Sequence, residues 1–221
     1  HFIKSKLNTF QHGFTKSRST VTNLVTYLDY ITPVVCSQGQ IDSIYFDLSS
    51  AFDLVPHALL LHKLNVCGIS SDYLKWFGTY LTNRQSYVRV SGTLSLPFVP
   101  LSGVPQGSVL GPLLFNIFIN DICNEIFNTN CLLFADDLKI YRNIRDVWDC
   151  ELIQTDINSI QNWCSKNGMK LSMGKTVIIS FTRKTNSIKF NYKVGSTSIF
   201  RSECVKDLGV MLDSKLHFHQ H

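Results

Sequence analysis

The sequence predicts an α+β fold in which an antiparallel sheet packs on helices. Segments with apolar residues at helical spacing alternate irregularly with short segments rich in Ile, Val, Tyr and Phe. Several of the short segments follow one another across tight turns, which is typical of antiparallel hairpins and not of repeated βαβ units. At 221 residues, 44% of them hydrophobic, the chain is long enough for one large domain or two small ones.

The first part of the chain predicts a helix, a buried strand and two further helices. Apolar residues recur at helical spacing over residues 19–31, Ser19 or Thr20 is the candidate N-cap, and Pro33 is expected to limit this helix. Residues 41–50 are rich in Ile, Tyr and Phe and alternate poorly, so they predict a strand buried on both faces. Two helices are predicted to follow this strand. The first spans residues 57–66 and is closed by Gly68, and the second spans residues 71–82 and is closed by Asn83.

The second part predicts two hairpins, two helices and several short strands. Residues 85–92 and 94–101 predict a strand pair around a turn at Gly92. A strongly apolar helix is predicted from Pro112 to about Phe127, with the proline tolerated because it lies in the first turn. The remaining elements are a strand–turn–strand over 131–142, an amphipathic helix between 146 and 167, and strands at 176–182, 188–194 and 204–212.

Composition restricts the class of protein. Twenty-one Lys and Arg against 16 Asp and Glu give a formal charge of +5, which permits a nucleic-acid partner without requiring one. The seven cysteines show no Cys-x-x-Cys pair, which suggests free, mostly buried thiols in a reducing compartment. No apolar run reaches the roughly 18 residues of a membrane span, so no membrane is expected. Because the chain begins with His1, it is expected to be a piece of a longer protein.

Two adjacent aspartates, Asp136 and Asp137, interrupt the apolar run LLFADDLKIY at residues 132–141. Asp47 likewise ends an apolar strand in YFDLSSAFD. Carboxylates brought together from two strand ends repel unless a divalent cation neutralises them, and Mg²⁺ prefers oxygen ligands. Two such ions can stabilise the attacking and leaving oxygens in phosphoryl transfer. Turn formation by Asp136–Asp137 and helix capping by Asp47 are the structural alternatives.

Two further segments carry polar groups beside glycines. In SGVPQGSVLGPLLFN, residues 102–116, the glycines form a loop that feeds a helix, where backbone N–H groups can face an anion or a base pair. Gln106 in this loop has an amide that can bind a sugar or a base edge. Lys175 precedes a strand, where its ammonium could protonate a leaving pyrophosphate. The alternative for the glycine-rich loop is an ordinary entry into the helix. The alternative for Lys175 is a lysine that solvates the edge of a strand.

In their order along the chain and in their amino-acid sequence, these motifs resemble segments of the reverse transcriptases of non-LTR (LINE-type) retrotransposons, especially the jockey-like animal elements. The resemblance covers nearly the whole chain. The blocks that carry it are QHGFTKSRSTVTNLV (11–25), YFDLSSAFD (45–53), GVPQGSVLGP (103–112), FADD (134–137), NGMKLSMGKT (167–176) and VKDLGVMLD (205–213).

The resemblance implies the fingers and palm of a right-hand polymerase, with the thumb missing. An isolated fragment of this kind is expected to be weakly active or inactive. The implied divisions are partial fingers at 1–40, palm with the first catalytic aspartate at 41–55, a fingers insertion at 56–100, palm at 101–200, and the start of the primer grip and thumb junction at 201–221.

The resemblance also implies roles for individual residues. Asp47, Asp136 and Asp137 would be the catalytic and metal-binding carboxylates for two Mg²⁺ ions, with Asp137 more supportive than ligating and Mn²⁺ able to substitute. Phe52 would lie under the incoming sugar, where its ring would clash with a 2′-hydroxyl and favour dNTPs; a core phenylalanine is the alternative. Lys175 would be the general acid. The other implied substrate contacts are Gln106 and Gly107 at the nascent base pair, and the backbone amides of residues 48–51, which include Ser49 and Ala51, at the triphosphate.

The nucleic-acid contacts come from basic residues. Arg84 and Arg89, near an aromatic residue, could follow a template backbone, and a solvated strand face is the alternative. Two departures from the family pattern stand out. Thr15 occupies the place of an arginine, whose charge Lys16 or Arg18 could supply, with a solvated cation as the alternative. Asp207 occupies the place of an aromatic residue in the primer grip.

The predicted function is therefore that of an RNA-directed DNA polymerase fragment, with an RNA template, a DNA primer and dNTPs as partners. The resemblance leaves room for an endonuclease domain on the parent polypeptide and implies an intracellular location, in the nucleus and in cytoplasmic ribonucleoprotein. Two alternatives stay open. One is a retrotransposon relic or domesticated copy that binds RNA or a partner without polymerising, and the other is an RNA-dependent RNA polymerase.

Overall fold

A five-stranded sheet is the centre of the computed structural model, which describes residues 7–82 and 84–217. Neighbouring strands pair antiparallel except for the last pair, which is parallel. This arrangement confirms the predicted α+β class. In spatial order the strands are β4 (Asn130–Phe134), β5 (Asp137–Asn143), β1 (Gln40–Phe46), β6 (Val177–Thr182) and β9 (Phe200–Ser202).

Helices and small hairpins surround this sheet. The helices are α1 (Thr20–Cys36), α2 (Ala51–Leu54), α3 (His57–Val66), α4 (Ser71–Thr82), α5 (Gly111–Ile119), a 3₁₀ helix (Asn120–Glu125) and α6 (Val147–Lys166). The two-stranded hairpins are β2 (Arg89–Val90) with β3 (Thr93–Leu94), β7 (Lys193–Val194) with β8 (Thr197–Ser198), and β10 (Cys204–Asp207) with β11 (Val210–Asp213).

Both faces of the central sheet are buried, as predicted for the strand that begins at residue 41. Ile44 and Phe46 of β1 face the larger apolar cluster, which includes residues of α3, α5 and α6. Ile41 faces a second cluster, formed with α1 and the β10–β11 hairpin. Alternation along a strand sends successive side chains to opposite faces, so an apolar residue is required on both.

Helices α3 and α4 have the predicted bounds, and Asn83, predicted to close α4, lies outside the described residues. The prediction for α1 was wrong at its end, because the helix continues through Pro33 to Cys36. A proline inside a helix removes one backbone donor. The buried stripe of Tyr27, Ile31 and Val35 continues past that point and packs on the sheet, which offsets the lost bond.

Several strand predictions were too long. The strand predicted at 41–50 ends at Phe46, and Ser50 has the left-handed φ of 47° before α2 begins. The strand predicted at 204–212 is the β10–β11 hairpin, which turns at Leu208 and Gly209, both with positive φ.

The helix predicted to Phe127 tightens into the 3₁₀ helix after Ile119. Among the described helices, none has the length and apolar character needed to cross a membrane.

Candidate active site

The register of two antiparallel strands brings the predicted carboxylates to one edge of the sheet. Phe46, the last residue of β1, pairs with Leu138 of β5. Asp47 therefore leaves β1 at the point where Asp137 begins β5, and Asp136 lies in the turn between β4 and β5. Residues separated by about 90 positions in the sequence thus meet because of one strand pairing.

The electrostatics of the aspartates show that they influence one another. Burial raises the pKa of Asp136, and the nearby Asp47 carboxylate raises it further. Partial burial raises the pKa of Asp137 to about 6, with added repulsion from the carboxylates of Asp136, Asp207 and Asp47. Like charges that share a site favour the protonated form, so this edge of the sheet has an excess of negative charge.

Lys175 lies beside the first of these carboxylates. Its Nζ is 3.5 Å from Asp47 Oδ1, and its side chain is 73% exposed. The Asp47 carbonyl accepts a hydrogen bond of 2.8 Å from the Ser172 amide, and the Lys175 amide donates to the Ser172 carbonyl at 3.1 Å. The backbone of the turn before β6 therefore holds Lys175 near Asp47, while its ammonium stays in contact with solvent.

The carboxylates have the donor chemistry that a hard divalent cation requires. Asp47, Asp136 and Asp137 supply carboxylate oxygens, and a cation would relieve the repulsion between carboxylates that adds to the effect of burial on the pKa values of Asp136 and Asp137. In residues 7–82 and 84–217 no three His, Cys, Asp or Glu side chains are arranged as a ready-made metal site. The donor set fits Mg²⁺, which keeps several waters and is bound by one or two carboxylates together with substrate phosphates.

A cavity of about 180 Å³ opens next to the carboxylates, between the sheet edge and the β10–β11 hairpin. Asp47, Asp137 and Lys175 line it on one side, and Lys206 and Asp207 line it on the other. The hairpin predicted to resemble the primer grip therefore faces the carboxylates across a common cavity.

Phe52 and the glycine-rich loop form a second group. The Phe52 ring stacks on Phe115 of α5, with centroids 4.2 Å apart, and meets Phe14 edge-on at 6.4 Å. A pocket beside these rings is lined by Gln106 and Gly107. The structure therefore brings together three of the predicted substrate residues, Phe52, Gln106 and Gly107.

The Gln106 amide is directed to an acidic neighbour. Its Nε2 donates to Asp53 Oδ1 at 2.7 Å, although the side chains are exposed. The loop is also joined to the segment after β1 by its backbone, because the Val104 amide donates to the Phe52 carbonyl at 2.9 Å. These bonds fix the glycine-rich loop relative to Phe52.

Fewer backbone amides of residues 48–51 are available to bind a triphosphate than the sequence predicted. The Ser49 amide donates to the Lys170 carbonyl at 2.9 Å, so it is already used inside the protein and the prediction for Ser49 needs correction. Ala51 is the first residue of α2, where an amide has no partner within its own helix. Ala51 therefore keeps the amide geometry that the prediction requires.

The predicted nucleic-acid arginines do not form one group. Arg18 donates to the backbone carbonyls of Thr9 and Gln11. Arg84 Nη2 lies 3.3 Å from the Gly103 carbonyl. Both guanidinium groups therefore hold loops of this chain, whereas Arg89 is exposed on β2.

Sequence reasoning missed two interactions next to the aspartates. The Gln11 amide binds the backbone of Ala135, which precedes Asp136. Lys139 Nζ lies 2.5 Å from Asp207 Oδ2, and both side chains are about 5% exposed. A lysine in the apolar run of β5 was the available signal for the second interaction, since buried charges are usually paired.

Over nearly its whole length, the chain is similar to known reverse transcriptases. The family model described as Reverse transcriptase (RNA-dependent DNA polymerase) matches residues 1–212. The probable RNA-directed DNA polymerase from transposon BS of Drosophila melanogaster is 29% identical over 96% of this chain and 24% of that protein. The RNA-directed DNA polymerase from mobile element jockey of Drosophila funebris is 26% identical over the same shares. This chain thus spans about a quarter of the length of these relatives.

Solved structures show the same fold. The telomerase of Candida albicans, solved in complex with a fragment of telomeric RNA, superposes with a TM-score of 0.67 at 12% identity, over 97% of this chain and 37% of that chain. The apo telomerase of Candida tropicalis truncated from its C-terminal domain superposes with a TM-score of 0.65 over 93% of this chain and 39% of that chain. The predicted right-hand polymerase fold and the resemblance to jockey-like elements are both confirmed. The chain belongs to the reverse transcriptase (RNA-dependent DNA polymerase) family.

Proposed function

We propose that this chain is the catalytic part of an RNA-directed DNA polymerase, which adds dNTPs to a primer 3′-hydroxyl on an RNA template and releases pyrophosphate. The observation that carries the proposal is the convergence of Asp47, Asp136 and Asp137 at one edge of the sheet. Three carboxylates with Lys175 beside them suit a reaction whose catalysis comes from charge stabilisation and positioning.

The aspartates would hold two Mg²⁺ ions, for which Mn²⁺ could substitute. Asp47 and Asp136 are the proposed principal ligands, and Asp137 supports them. When bound, the ions would supply charge stabilisation for the attacking and leaving oxygens of the transferred phosphate. The protein contributes rigidity, because β1 and β5 are paired along their length and their apolar side chains are buried on both faces.

Phe52, Gln106, Gly107 and Ala51 are proposed to contact the incoming nucleotide. The stack with Phe115 fixes the Phe52 ring, so the ring cannot easily move away from a ribose 2′-hydroxyl. This restriction favours dNTPs and argues against an RNA-dependent RNA polymerase. Gln106 would have to leave Asp53 or use its remaining amide groups to reach a base pair.

Lys175 is proposed as the general acid for the leaving pyrophosphate. Its exposure leaves the ammonium free to turn from Asp47 towards a phosphate. Arg89 is the proposed template contact on the exposed hairpin, and Arg18 and Arg84 would act mainly by holding loops.

The partners proposed for the parent protein are an RNA template, a DNA primer and an endonuclease domain elsewhere on the polypeptide. Its proposed location is intracellular, in the nucleus and in cytoplasmic ribonucleoprotein. Both proposals rest on the relationship to retrotransposon polymerases.

The test is single-nucleotide extension of a DNA primer on an RNA template by the 221-residue chain, with dNTPs or rNTPs and with Mg²⁺ or Mn²⁺. We expect weak extension by this fragment, with dNTPs only, and we expect Asp136→Asn to lower that rate at least about a hundredfold because it removes a ligand charge. Asp72→Asn, at a carboxylate that is 91% exposed, is the matched control and should leave the rate unchanged.

The outcomes separate the candidate functions. Measurable extension at the same rate by Asp136→Asn and the wild type would contradict the proposal. Retention of RNA on a filter without extension would favour the relic that binds RNA, and faster use of rNTPs would favour an RNA polymerase.

A further inference from the structure

The N-terminal segment from Phe10 to Gly13 lies along the edge of the central sheet. The Leu133 amide of β4 donates to the Phe10 carbonyl at 3.0 Å, and the His12 amide donates to the Leu133 carbonyl at 2.9 Å. The segment therefore runs parallel to β4 and ends beside the turn that carries Asp136.

The Gln11 side chain completes the hydrogen bonding of one residue in that turn. Its Oε1 accepts from the Ala135 amide at 2.9 Å, and its Nε2 donates to the Ala135 carbonyl at 3.1 Å. Oε1 also accepts from the Gly13 amide at 2.7 Å. The side chain is 1% exposed, so these bonds are shielded from water.

Ala135 needs this support because of its backbone conformation. Its φ of 55° is left-handed, a conformation that is unfavourable for a residue other than glycine. The residue is also buried, so its N–H and C=O would be costly to leave unpaired. Gln11 satisfies both groups and so stabilises the conformation that aims the next residue, Asp136.

Gly13 allows the approach of the two segments. A Cβ atom at this position would lie 2.3 Å from the Ala135 nitrogen, which is too close for any side chain. Asn116 of α5 holds Gly13 from the other side, because its Nδ2 donates to the Gly13 carbonyl at 2.7 Å. The segment is thus fixed between α5 and the turn.

We propose that Gln11 is a positioning residue, whose amide holds Ala135 and thereby fixes the direction in which Asp136 and Asp137 leave the turn. This inference rests on the proposed function for the roles of the two aspartates. Gln11 is not a catalytic residue, since it acts only through the backbone of Ala135.

Gln40 provides a matched control within the same chain. It is also 1% exposed, and its amide binds the N–H and the C=O of Ile188, both at 2.8 Å. Like Gln11 it makes a third bond, since its Nε2 also donates to Asp42 Oδ1 at 2.9 Å. It begins β1, whereas Asp47 follows the other end of that strand. Gln11→Met therefore removes side-chain hydrogen bonds to a backbone next to Asp136 and Asp137. Gln40→Met removes the same kind of interaction far from these aspartates.

The first measurement is amide hydrogen exchange, which reports the interaction without requiring metal or activity. We expect Gln11→Met to speed exchange at residues 135–138 at least about tenfold. Gln40→Met should speed it near Ile188 and leave 135–138 unchanged. Unchanged exchange at Ala135 in Gln11→Met would overturn the proposal.

The second measurement is the affinity of the protein for Mn²⁺, which is determined from the electron paramagnetic resonance signal of the unbound ion. Gln11→Met should weaken binding about tenfold, and Gln40→Met should leave it unchanged. Faster exchange at Ala135 with unaltered Mn²⁺ affinity would overturn the positioning role. If the wild type binds no Mn²⁺, the metal site of the proposed function fails, and the exchange measurement alone decides whether Gln11 holds the turn.

Discussion

At the scale of the residue, His12 links the stability of the fold to pH. Its ring is buried beside Gln11, and its Nδ1 lies 2.9 Å from Thr22 Oγ1. Burial lowers the pKa of His12 to about 4, and the charges of Arg18 and Lys139 lower it further. The folded protein therefore holds this histidine in the neutral form.

Acid should weaken the fold through this residue. The folded pKa lies below the ordinary value of 6.5, so the stabilising contribution is complete above pH 6.5 and is lost as the pH falls towards 4. Between pH 7 and pH 5 the loss is about 2 kcal/mol. We expect His12→Gln to lack this part of the pH dependence, measured by urea unfolding at pH 7, 6 and 5.

His62, which is exposed on α3, is the control for that experiment. His62→Gln should keep the slope of the wild type. A wild-type unfolding free energy that depends on pH in the same way as that of His12→Gln would contradict the prediction.

At the scale of the element, one buried ion pair joins the β10–β11 hairpin to the central sheet. Lys139 of β5 reaches Asp207 of β10, and the Tyr45 hydroxyl donates to the same carboxylate at 3.1 Å. The ammonium also lies 4.4 Å from the centre of the Tyr27 ring. Burial lowers the pKa of Lys139, and the Asp207 carboxylate opposes this shift.

Removing one partner of this pair should cost more than removing both. Lys139→Met or Asp207→Leu alone leaves an unpaired buried charge, so we expect each to lower the free energy of unfolding by about 3–5 kcal/mol. The double variant should recover most of that loss, because packed apolar residues often replace a buried pair at little cost. Urea unfolding of the four proteins measures the coupling.

The exposed pair of Lys75 and Asp72 on α4 serves as the reference for the coupling energy. Its side chains are 82% and 91% exposed, so its coupling should stay below about 0.5 kcal/mol. Additive effects at Lys139 and Asp207 would show that the hairpin is held by other contacts.

At the scale of the whole molecule, the buried cysteines report how completely the larger apolar cluster excludes solvent. All seven are free thiols, and most are buried, as the sequence predicted. Burial raises the pKa of Cys164 to about 12 and also raises that of Cys150, and a hydrogen bond with Cys131 does most to raise the pKa of Cys123. Raised pKa values suppress the reactive thiolate.

Thiol modification should therefore follow burial. We expect Cys36, which is exposed, to react first with a thiol reagent at neutral pH. The buried thiols should react more than about a thousandfold more slowly, because they require unfolding of the core. Mass spectrometry of partly modified protein measures the order, and early labelling of the buried set would contradict tight packing of the larger apolar cluster. The buried set is Cys123, Cys131, Cys150 and Cys164.

Much of the fold was predictable because its signals are local. Helices α3 and α4 have the predicted bounds, since caps, breakers and apolar spacing act within a few residues. The aspartates were recognisable because a carboxylate at the end of an apolar strand is costly unless it has a partner. Pro33 misled the prediction for α1, because packing on the sheet outweighed a local preference.

The sequence by itself determined the class of fold, the family and the residue types gathered at the site. Only the tertiary structure decided that Asp47 meets Asp136, that the Gln11 amide holds Ala135 across 124 positions, and that Lys139 pairs with Asp207 across 68. The physical reason is that propensity and periodicity act over a few residues. Strand register and buried hydrogen bonds, by contrast, depend on which distant segments the packed core brings into contact.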